Sequence, residues 1–127
     1  IHQNRQRHPA QRFVVFNLCT ETLPSEGTDL VMCRDLFVHF TLRDIWHCLQ
    51  KIKQCGARYL LMTTFARREY IDLPTTGGWR PISFFDAPFC FPPPVALLNE
   101  VCTEGYPNHI DKALGLWRVE DIPSIPT

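Results

Sequence analysis

The sequence lacks both a net charge and a long apolar run. Its 127 residues carry 13 Lys and Arg against 13 Asp and Glu. This balance gives no electrostatic reason to bind nucleic acid or an anionic membrane, because both require a positive surface. No segment approaches the roughly 18 uncharged apolar residues that a membrane helix needs. We therefore expect one globular domain with no membrane partner, for which nucleic acid is not a favoured partner.

Motifs of the common enzyme mechanisms are also missing. The chain has no P-loop, HExxH or GxGxxG motif and no Ser-His-Asp arrangement. Its aspartates form no spaced carboxylate pair of the kind used in glycoside or metal chemistry. Within the first hundred residues these aspartates are Asp29, Asp35, Asp44, Asp72 and Asp86. Most simple enzyme mechanisms are therefore excluded.

The cysteines lack the spacing of a metal or redox motif. They are Cys19, Cys33, Cys48, Cys55, Cys90 and Cys102, with no CxxC pair among them. Free cysteine behaves as a small buried hydrophobe, so we interpret them as reduced core thiols of a cytoplasmic protein rather than as disulfides. Structural zinc usually takes paired ligands two to four residues apart, so we predict no metal site.

The first twelve residues are polar, with three arginines and no acid. We interpret 1–12 as a polar lead-in or as the remains of a helix, and 13–127 as part of one domain. The chain begins at Ile1 rather than at Met, which indicates a piece of a longer protein.

Three apolar segments predict strands. Residues 13–18 are rich in β-branched and aromatic side chains. Residues 29–33 hold a short apolar run with no polar alternation, which is typical of a strand buried on both faces of a parallel sheet, and residues 57–65 predict a second buried strand. Pro24, Ser25 and Gly27 predict a turn over 20–28.

Residues 40–56 have the clearest helical periodicity. Their apolar side chains recur on one face, at Leu42, Ile45, Trp46, Leu49 and Ile52. Thr41 is the predicted N-cap, with Asp44 three residues later, and Gly56 suits the left-handed position after the last turn. Strand, helix and strand within 29–65 predict a βαβ unit with parallel strands.

Periodicity is lost between residues 66 and 94, an aromatic segment punctuated by Gly77-Gly78 and by prolines at 92–94. A loop of this length usually covers or lines a site. The triple proline is either a polyproline ligand or, as we prefer, a rigid entry to the next strand. Two further strands are predicted at 95–102 and 113–119, and they should pair antiparallel because the connection is too short for a parallel crossover.

Polar residues follow the predicted strand 29–33. Ligands of open α/β sheets bind at the carboxyl ends of the strands. Arg34 and Asp35 would meet a ligand there, or they pair with each other or cap the following turn. His39 lies in an apolar stretch, where a histidine is more often a hydrogen-bonded, half-buried residue than a catalyst.

Several of these segments occur together as motifs in a fixed order. They are DLVMCRDLFVHF at 29–40, ARYLLMTTF at 57–65, GWRP at 78–81 and LGLW at 114–117. In this order they resemble the C-terminal half of a class I S-adenosylmethionine-dependent methyltransferase. The resemblance implies an α/β, Rossmann-like methyltransferase sheet that is truncated at the N-terminus, supplies the family's third to seventh strands and ends in an antiparallel hairpin.

The same resemblance implies a cofactor site for S-adenosyl-L-methionine. Its contacts would follow the third strand, at Asn17 and Leu18, and the fourth strand, at Cys33, Arg34 and Asp35. Asn17 stands where the family usually has Asp, and its amide oxygen can still accept a hydrogen bond from an exocyclic amine. The family's glycine-rich first loop and the acidic residue after its second strand have no counterpart, so about half of the pocket is missing.

The methyl acceptor is not identified by the sequence. The substrate-side candidates are His39, Trp79 and Arg80, no catalytic residue is assigned, and the aromatic loop 79–91 either lines the acceptor side or packs in the core. The alternative function is a non-catalytic α/β interaction module or an inactive methyltransferase-like fragment. In each case an exposed sheet edge would be covered by the missing N-terminal half or by another subunit.

Overall fold

A four-stranded mixed sheet with one long helix against it forms the body of the protein. The computed structural model describes residues 1–24 and 27–126. The elements are α1 (His2–Arg7), β1 (Leu30–Cys33), α2 (Leu42–Gln54), β2 (Tyr59–Thr64), β3 (Ala96–Asn99) and β4 (Ala113–Arg118). Short 3₁₀ turns follow β1 at Phe37–His39 and β4 at Val119–Asp121. The predicted α/β class is confirmed.

The strand order in the sheet is β1-β2-β4-β3. β1 and β2 are parallel, with Leu30 beside Tyr59, so the predicted βαβ unit is confirmed. β4 lies antiparallel to both of its neighbours, β2 and β3. The predicted antiparallel hairpin is therefore also present, and its second strand occupies the interior of the sheet.

The helix α2 begins and ends as its sequence predicts. The hydroxyl oxygen of Thr41 accepts a hydrogen bond from the Asp44 backbone N–H at 3.3 Å. Gly56 follows the last turn with φ of 79°, a left-handed conformation that costs glycine little. The buried face of α2 consists of Ile45, Trp46, Cys48, Leu49 and Ile52. This face packs on the sheet because its apolar side chains recur at the helical period.

Aromatic side chains from the loop after β2 complete the core. Phe84, Phe89 and Phe91 are all buried, with ring centroids of Phe84 and Phe89 4.7 Å apart. Phe91 meets the edge of Trp117 at 5.3 Å, and the Trp117 indole N–H donates to the Pro92 carbonyl oxygen at 2.7 Å. The triple proline thus leads rigidly from the core into β3, as we preferred on sequence grounds.

The opposite face of the sheet is largely open. We call this surface, made by Leu30, Met32, Leu61, Leu98 and Leu116, the open face; the strand register places these side chains on one side. Leu30, Met32 and Leu98 are 47%, 55% and 58% exposed. The prediction that residues 29–33 are buried on both faces is therefore wrong, because in the described residues only one side of β1 is covered by packed side chains.

The predicted strand at 13–18 is not formed. Val14 and Val15 are 54% and 81% exposed, and the segment is irregular. Its β-branched residues have strand propensity, but a strand also needs a neighbour for its backbone hydrogen bonds. Here the Phe13 carbonyl oxygen instead accepts from the Arg5 guanidinium. The sheet therefore has four of the five strands that the resemblance assigned to this chain.

The first twelve residues are exposed throughout. Residues 1–12 contain the short helix α1, which has no buried residue, so they form a polar lead-in with a helical part. In the predicted turn over 20–28, Gly27 lies in a turn with φ of 71° and Pro24 in irregular backbone, while Ser25 lies outside the described residues. Within the described part of the chain, no helix has the length and apolar character needed to cross a membrane.

Candidate functional site

The carboxyl end of β1 is fixed in place by β2. The Asp35 backbone N–H donates to the Thr63 hydroxyl at 2.8 Å, and Thr63 is buried on β2. Asp35 itself has φ of 51°, and Val101, beyond the end of β3, has φ of 54°. Left-handed backbone is uncommon outside glycine, above all for β-branched residues, and such strain tends to cluster at functional sites. The edge of the sheet where β1 and β3 end is therefore the candidate location of a functional site.

Four charged side chains form an alternating network at this edge. Lys112 Nζ lies 2.7 Å from Asp35 Oδ1 and 3.3 Å from Glu100 Oε2. Glu100 Oε1 accepts from Arg34 Nε at 2.7 Å. The side chains of Lys112 and Glu100 are only 13% and 12% exposed, whereas that of Arg34 is 56% exposed. Arg34 and Asp35 thus pair with residues of the β3–β4 hairpin and not with each other.

Each cation of the network is stabilised by its partners. Burial lowers the pKa of Lys112, but hydrogen bonds and charge attraction from Asp35 and Glu100 outweigh it and raise the pKa above its ordinary value. The hydrogen bond with Glu100 likewise raises the pKa of Arg34. Both cations of the network therefore stay charged at neutral pH.

A cleft of about 450 Å³ opens beside this network. We call it the carboxyl-edge cleft. Its lining residues are Asp35, His39, Phe65, Trp79, Cys102, Glu104, Gly105, His109 and Lys112. The rings of Trp79 and His109 lie 5.1 Å apart, those of Phe65 and His109 5.7 Å apart. Aromatic rings form one part of the wall, and the Asp35–Lys112 ion pair another.

His39 takes part in the cleft with a defined tautomer. Its Nδ1 lies 2.7 Å from the carbonyl oxygen of Gly78. A carbonyl oxygen only accepts hydrogen bonds, so Nδ1 carries the proton and Nε2 of the neutral ring is a free acceptor. The residue is half-buried and hydrogen-bonded, as its apolar surroundings predict, and it also lines the cleft.

Arg80 lies behind the cleft wall and does not line it. It is 6% exposed and donates to the carbonyl oxygens of Phe37, Val38 and Ile71 and to the Tyr70 hydroxyl. Burial raises the pKa of Tyr70 to about 12, so its hydroxyl stays protonated. The neighbouring Trp79, in contrast, is 46% exposed. Within the aromatic loop, Trp79 therefore lines the cleft, whereas Phe84, Phe89 and Phe91 pack in the core.

The residues predicted to follow the third and fourth strands are not all brought together. Asn17 and Leu18 lie in the irregular N-terminal segment and are absent from the lining of the carboxyl-edge cleft, whereas Asp35 is part of it. The Asn17 side-chain oxygen accepts from the Cys19 backbone N–H at 3.0 Å. Cys33 is buried, and its desolvation raises the pKa of the thiol to about 12. The thiol of Cys33 is therefore protonated and inert at neutral pH.

Glu100, His109 and Lys112 were not among the sequence-predicted site residues. Glu100 follows β3, and Lys112 directly precedes β4. Because β4 is antiparallel to the other strands, its first residues lie at the edge where β1, β2 and β3 end. The predicted hairpin was thus the signal that could have placed both charges beside Asp35.

The chemistry of this edge is that of charged, aromatic and imidazole groups. Among residues 1–24 and 27–126, no three His, Cys, Asp or Glu side chains are grouped so as to hold a metal ion.

No family model matches the sequence, and neither the curated proteins nor the solved structures contain a match to it.

Proposed function

We propose that the chain is the C-terminal half of an S-adenosylmethionine-dependent methyltransferase domain of the cytoplasm. The arrangement of the sheet carries this proposal. Strands of a dinucleotide-binding sheet run parallel, whereas β4 here is antiparallel and lies between β2 and β3. That is the terminal hairpin which the resemblance implies. The motifs at 29–40, 57–65 and 114–117 form or adjoin β1, β2 and β4.

The open face supports the same proposal. A parallel α/β sheet normally has helices on both of its faces. Here the exposed side chains of Leu30, Met32 and Leu98 leave apolar surface uncovered on one face. Further segments of a larger domain would cover it, and burial of such surface contributes about 25 cal/mol per Å².

Part of the carboxyl edge fits the methionine portion of S-adenosylmethionine. The ammonium and sulfonium groups of that molecule are positive. The Asp35 carboxylate already pairs with Lys112 through Oδ1, but its side chain is 44% exposed and its negative charge is complementary to them. Arg34 is held by Glu100, and Asn17 uses its amide oxygen locally, so neither offers a free group in this arrangement. The bound cofactor supplies an activated methyl group on sulfur. The chain's own part is to position the acceptor and to shield it from water with the aromatic wall.

Titration calorimetry with S-adenosylmethionine tests this function. We expect binding by the parent protein that includes residues upstream of Ile1, and at least tenfold weaker binding by its Asp35→Asn variant. Asp121→Asn is the matched control, because Asp121 is exposed beyond β4, at the other edge of the sheet. Absence of binding by the parent protein, or equal affinity of the Asp35 variant, would overturn the proposal.

A second candidate, the non-catalytic interaction module, is also favoured by the open face. In the described sheet β1 is an edge strand, and it borders this apolar surface. Exposed apolar patches next to a free edge promote association between chains. Sedimentation of the chain and of Met32→Lys discriminates the two functions. Association abolished by Met32→Lys, in a parent protein that binds no S-adenosylmethionine, would favour the interaction module.

A further inference from the structure

The loop segment 76–80 holds both the backbone and the ring of His39. The Gly77 backbone N–H donates to the His39 carbonyl oxygen at 2.7 Å, while the His39 ring donates to the next residue, Gly78. The Arg80 backbone N–H adds a bond of 3.1 Å to Val38. An imidazole oriented by a third group in this way is the arrangement of a general base.

The surroundings of His39 favour an uncharged aromatic ligand. Trp79 exposes 46% of its surface and lies in the wall of the carboxyl-edge cleft, where its indole offers a surface for a planar ring. The formal charges of the network beside the cleft sum to zero over Arg34, Asp35, Glu100 and Lys112. Glu104 is exposed, so solvent and salt screen its charge. The volume of about 450 Å³ is in the range of small-molecule sites.

We infer that His39 is a catalytic base, whose Nε2 receives the hydroxyl proton of a small phenol-type methyl acceptor stacked on Trp79. The inference rests on the proposed methyltransferase function. The acceptor O–H bond breaks and its proton passes to Nε2. The oxygen forms a bond to the methyl carbon as the carbon–sulfur bond of the sulfonium breaks, and the electron pair of that bond remains on sulfur. A neutral imidazole becomes imidazolium and the sulfonium becomes a neutral thioether, so charge is conserved.

Nitrogen NMR of the chain tests the tautomer and the ligand class together. The histidine ring nitrogens are isotopically labelled, and spectra are recorded at pH 9, where imidazole rings are neutral, with phenol as the probe. We expect His39 to carry its proton on Nδ1 and its Nε2 resonance to move as phenol is added. A proton on Nε2, or a His39 signal that does not respond to millimolar phenol, would overturn the inference.

Two substitutions separate the roles of the ring nitrogens. His39→Asn keeps a donor for the Gly78 carbonyl, because the asparagine amide nitrogen and Nδ1 are both bonded to Cγ, but it lacks Nε2. We expect this variant to keep the Trp117 indole N–H resonance of the folded core and to bind phenol at least tenfold more weakly. His39→Gln places an amide near the position of Nε2 and should restore part of the binding. Wild-type phenol affinity in His39→Asn would contradict the role of Nε2.

His47→Asn is the matched control. His47 is exposed on α2 and does not line the carboxyl-edge cleft, so its variant should bind phenol as the wild type does. Trp79→Ala should weaken binding, whereas Trp79→Phe should retain most of it because a planar surface remains. Equal phenol affinity of the alanine and phenylalanine variants would overturn the stacking assignment.

The inference and the proposed function fail separately, because phenol binding requires no cofactor. If the parent protein binds S-adenosylmethionine but phenol leaves His39 unaffected, the role of His39 is overturned and the methyltransferase proposal stands. If phenol acts on His39 but the parent protein binds no S-adenosylmethionine, methyl transfer is overturned and the cleft remains an aromatic-ligand site.

Discussion

Lys112 Nζ lies 2.7 Å from Asp35 Oδ1 and thereby ties the start of β4 to the end of β1. Lys112 also neutralises Glu100, whose side chain is only 12% exposed. We expect Lys112→Met to lower the free energy of unfolding by about 2–3 kcal/mol, because it leaves a nearly buried carboxylate with a single cationic partner. Urea denaturation at pH 7 measures this loss.

The double variant Lys112→Met/Glu100→Gln is the control for that prediction. Removal of both charges avoids an uncompensated buried ion, so the double variant should lose less stability than the sum of the two single variants. The raised pKa of Lys112 determines how its contribution to the free energy of unfolding changes with pH. Its contribution is complete below the unfolded pKa of about 10.4 and is lost as pH rises through the raised folded value. Additive losses of stability in the double variant would show that Lys112 and Glu100 act independently.

The sequence predicts those parts of the fold that depend on local pattern. The helix α2 follows from helical periodicity, the Thr41 cap and Gly56. The parallel and antiparallel pairings follow from the lengths of the connections. The segment 13–18 has the composition of a strand, but composition does not supply a partner, and the described sheet offers none to it.

The candidate site is less predictable because it depends on neighbours that are distant in sequence. Trp79 and Arg80 are adjacent in the chain, yet one is exposed in the cleft and the other buried behind it. No periodicity distinguishes them in an irregular loop. Asp35 and Lys112 meet only through the antiparallel placement of β4. The sequence pattern therefore does not predict which of these charges pair.

Cys19 and Cys48 are expected to form a disulfide on oxidation. Their sulfur atoms lie 3.7 Å apart although 29 positions separate them. Oxidised glutathione would accept two electrons and two protons from the pair and leave as two molecules of glutathione. In the chain-entropy model a crosslink of this span stabilises by about 3–4 kcal/mol, so the melting temperature should rise.

Peptide mapping without reductant measures the crosslink, and Cys19→Ser is the control that should lose it. Cys90 is exposed and provides the competing reaction, a disulfide between two chains. Finding only Cys90-linked dimers, with no Cys19–Cys48 peptide, would contradict the prediction. Desolvation raises the pKa of Cys48, so we expect oxidation to be slow at neutral pH.

The ionised carboxylate of Asp72 should stabilise the protein at neutral pH, and this stabilisation should be lost in acid. Burial pushes its pKa up, but hydrogen bonds from Leu42 N–H, the Tyr70 hydroxyl and Leu73 N–H outweigh this and lower the pKa below its ordinary value. Its stabilising contribution is therefore complete above the unfolded pKa of about 3.9 and is lost as pH falls through the lowered folded value. We expect Asp72→Asn to cost about 1 kcal/mol at pH 7, because a charge-assisted bond to the first turn of α2 is weakened.

Urea midpoints at pH 7, 4 and 2.5 test the dependence on Asp72. The difference in stability between wild type and variant should shrink at the lowest pH, because the contribution of the ionised carboxyl declines once the pH falls below the unfolded pKa of about 3.9. Asp121→Asn, an exposed aspartate of the turn after β4, should show little difference at any of these values. A gap that stays constant between pH 7 and 2.5 would contradict the ionic contribution.

Gly115 should tolerate no side chain, because the Trp117 ring covers it. A Cβ on Gly115 would meet three carbon atoms of that ring at less than ordinary van der Waals distance. Trp117 is 1% exposed and is fixed by its bond to Pro92, so it cannot move aside freely. We expect Gly115→Ala to lower the free energy of unfolding by about 1–3 kcal/mol through overpacking.

A double-variant cycle separates this ring contact from a backbone effect. Trp117→Leu removes the ring that occupies the space above Gly115, at a cost of its own in buried surface. In that background Gly115→Ala should cost much less, since the added methyl group then meets no indole. If the alanine costs the same with and without Trp117, the requirement for glycine lies in the β4 backbone and not in the packing of Trp117.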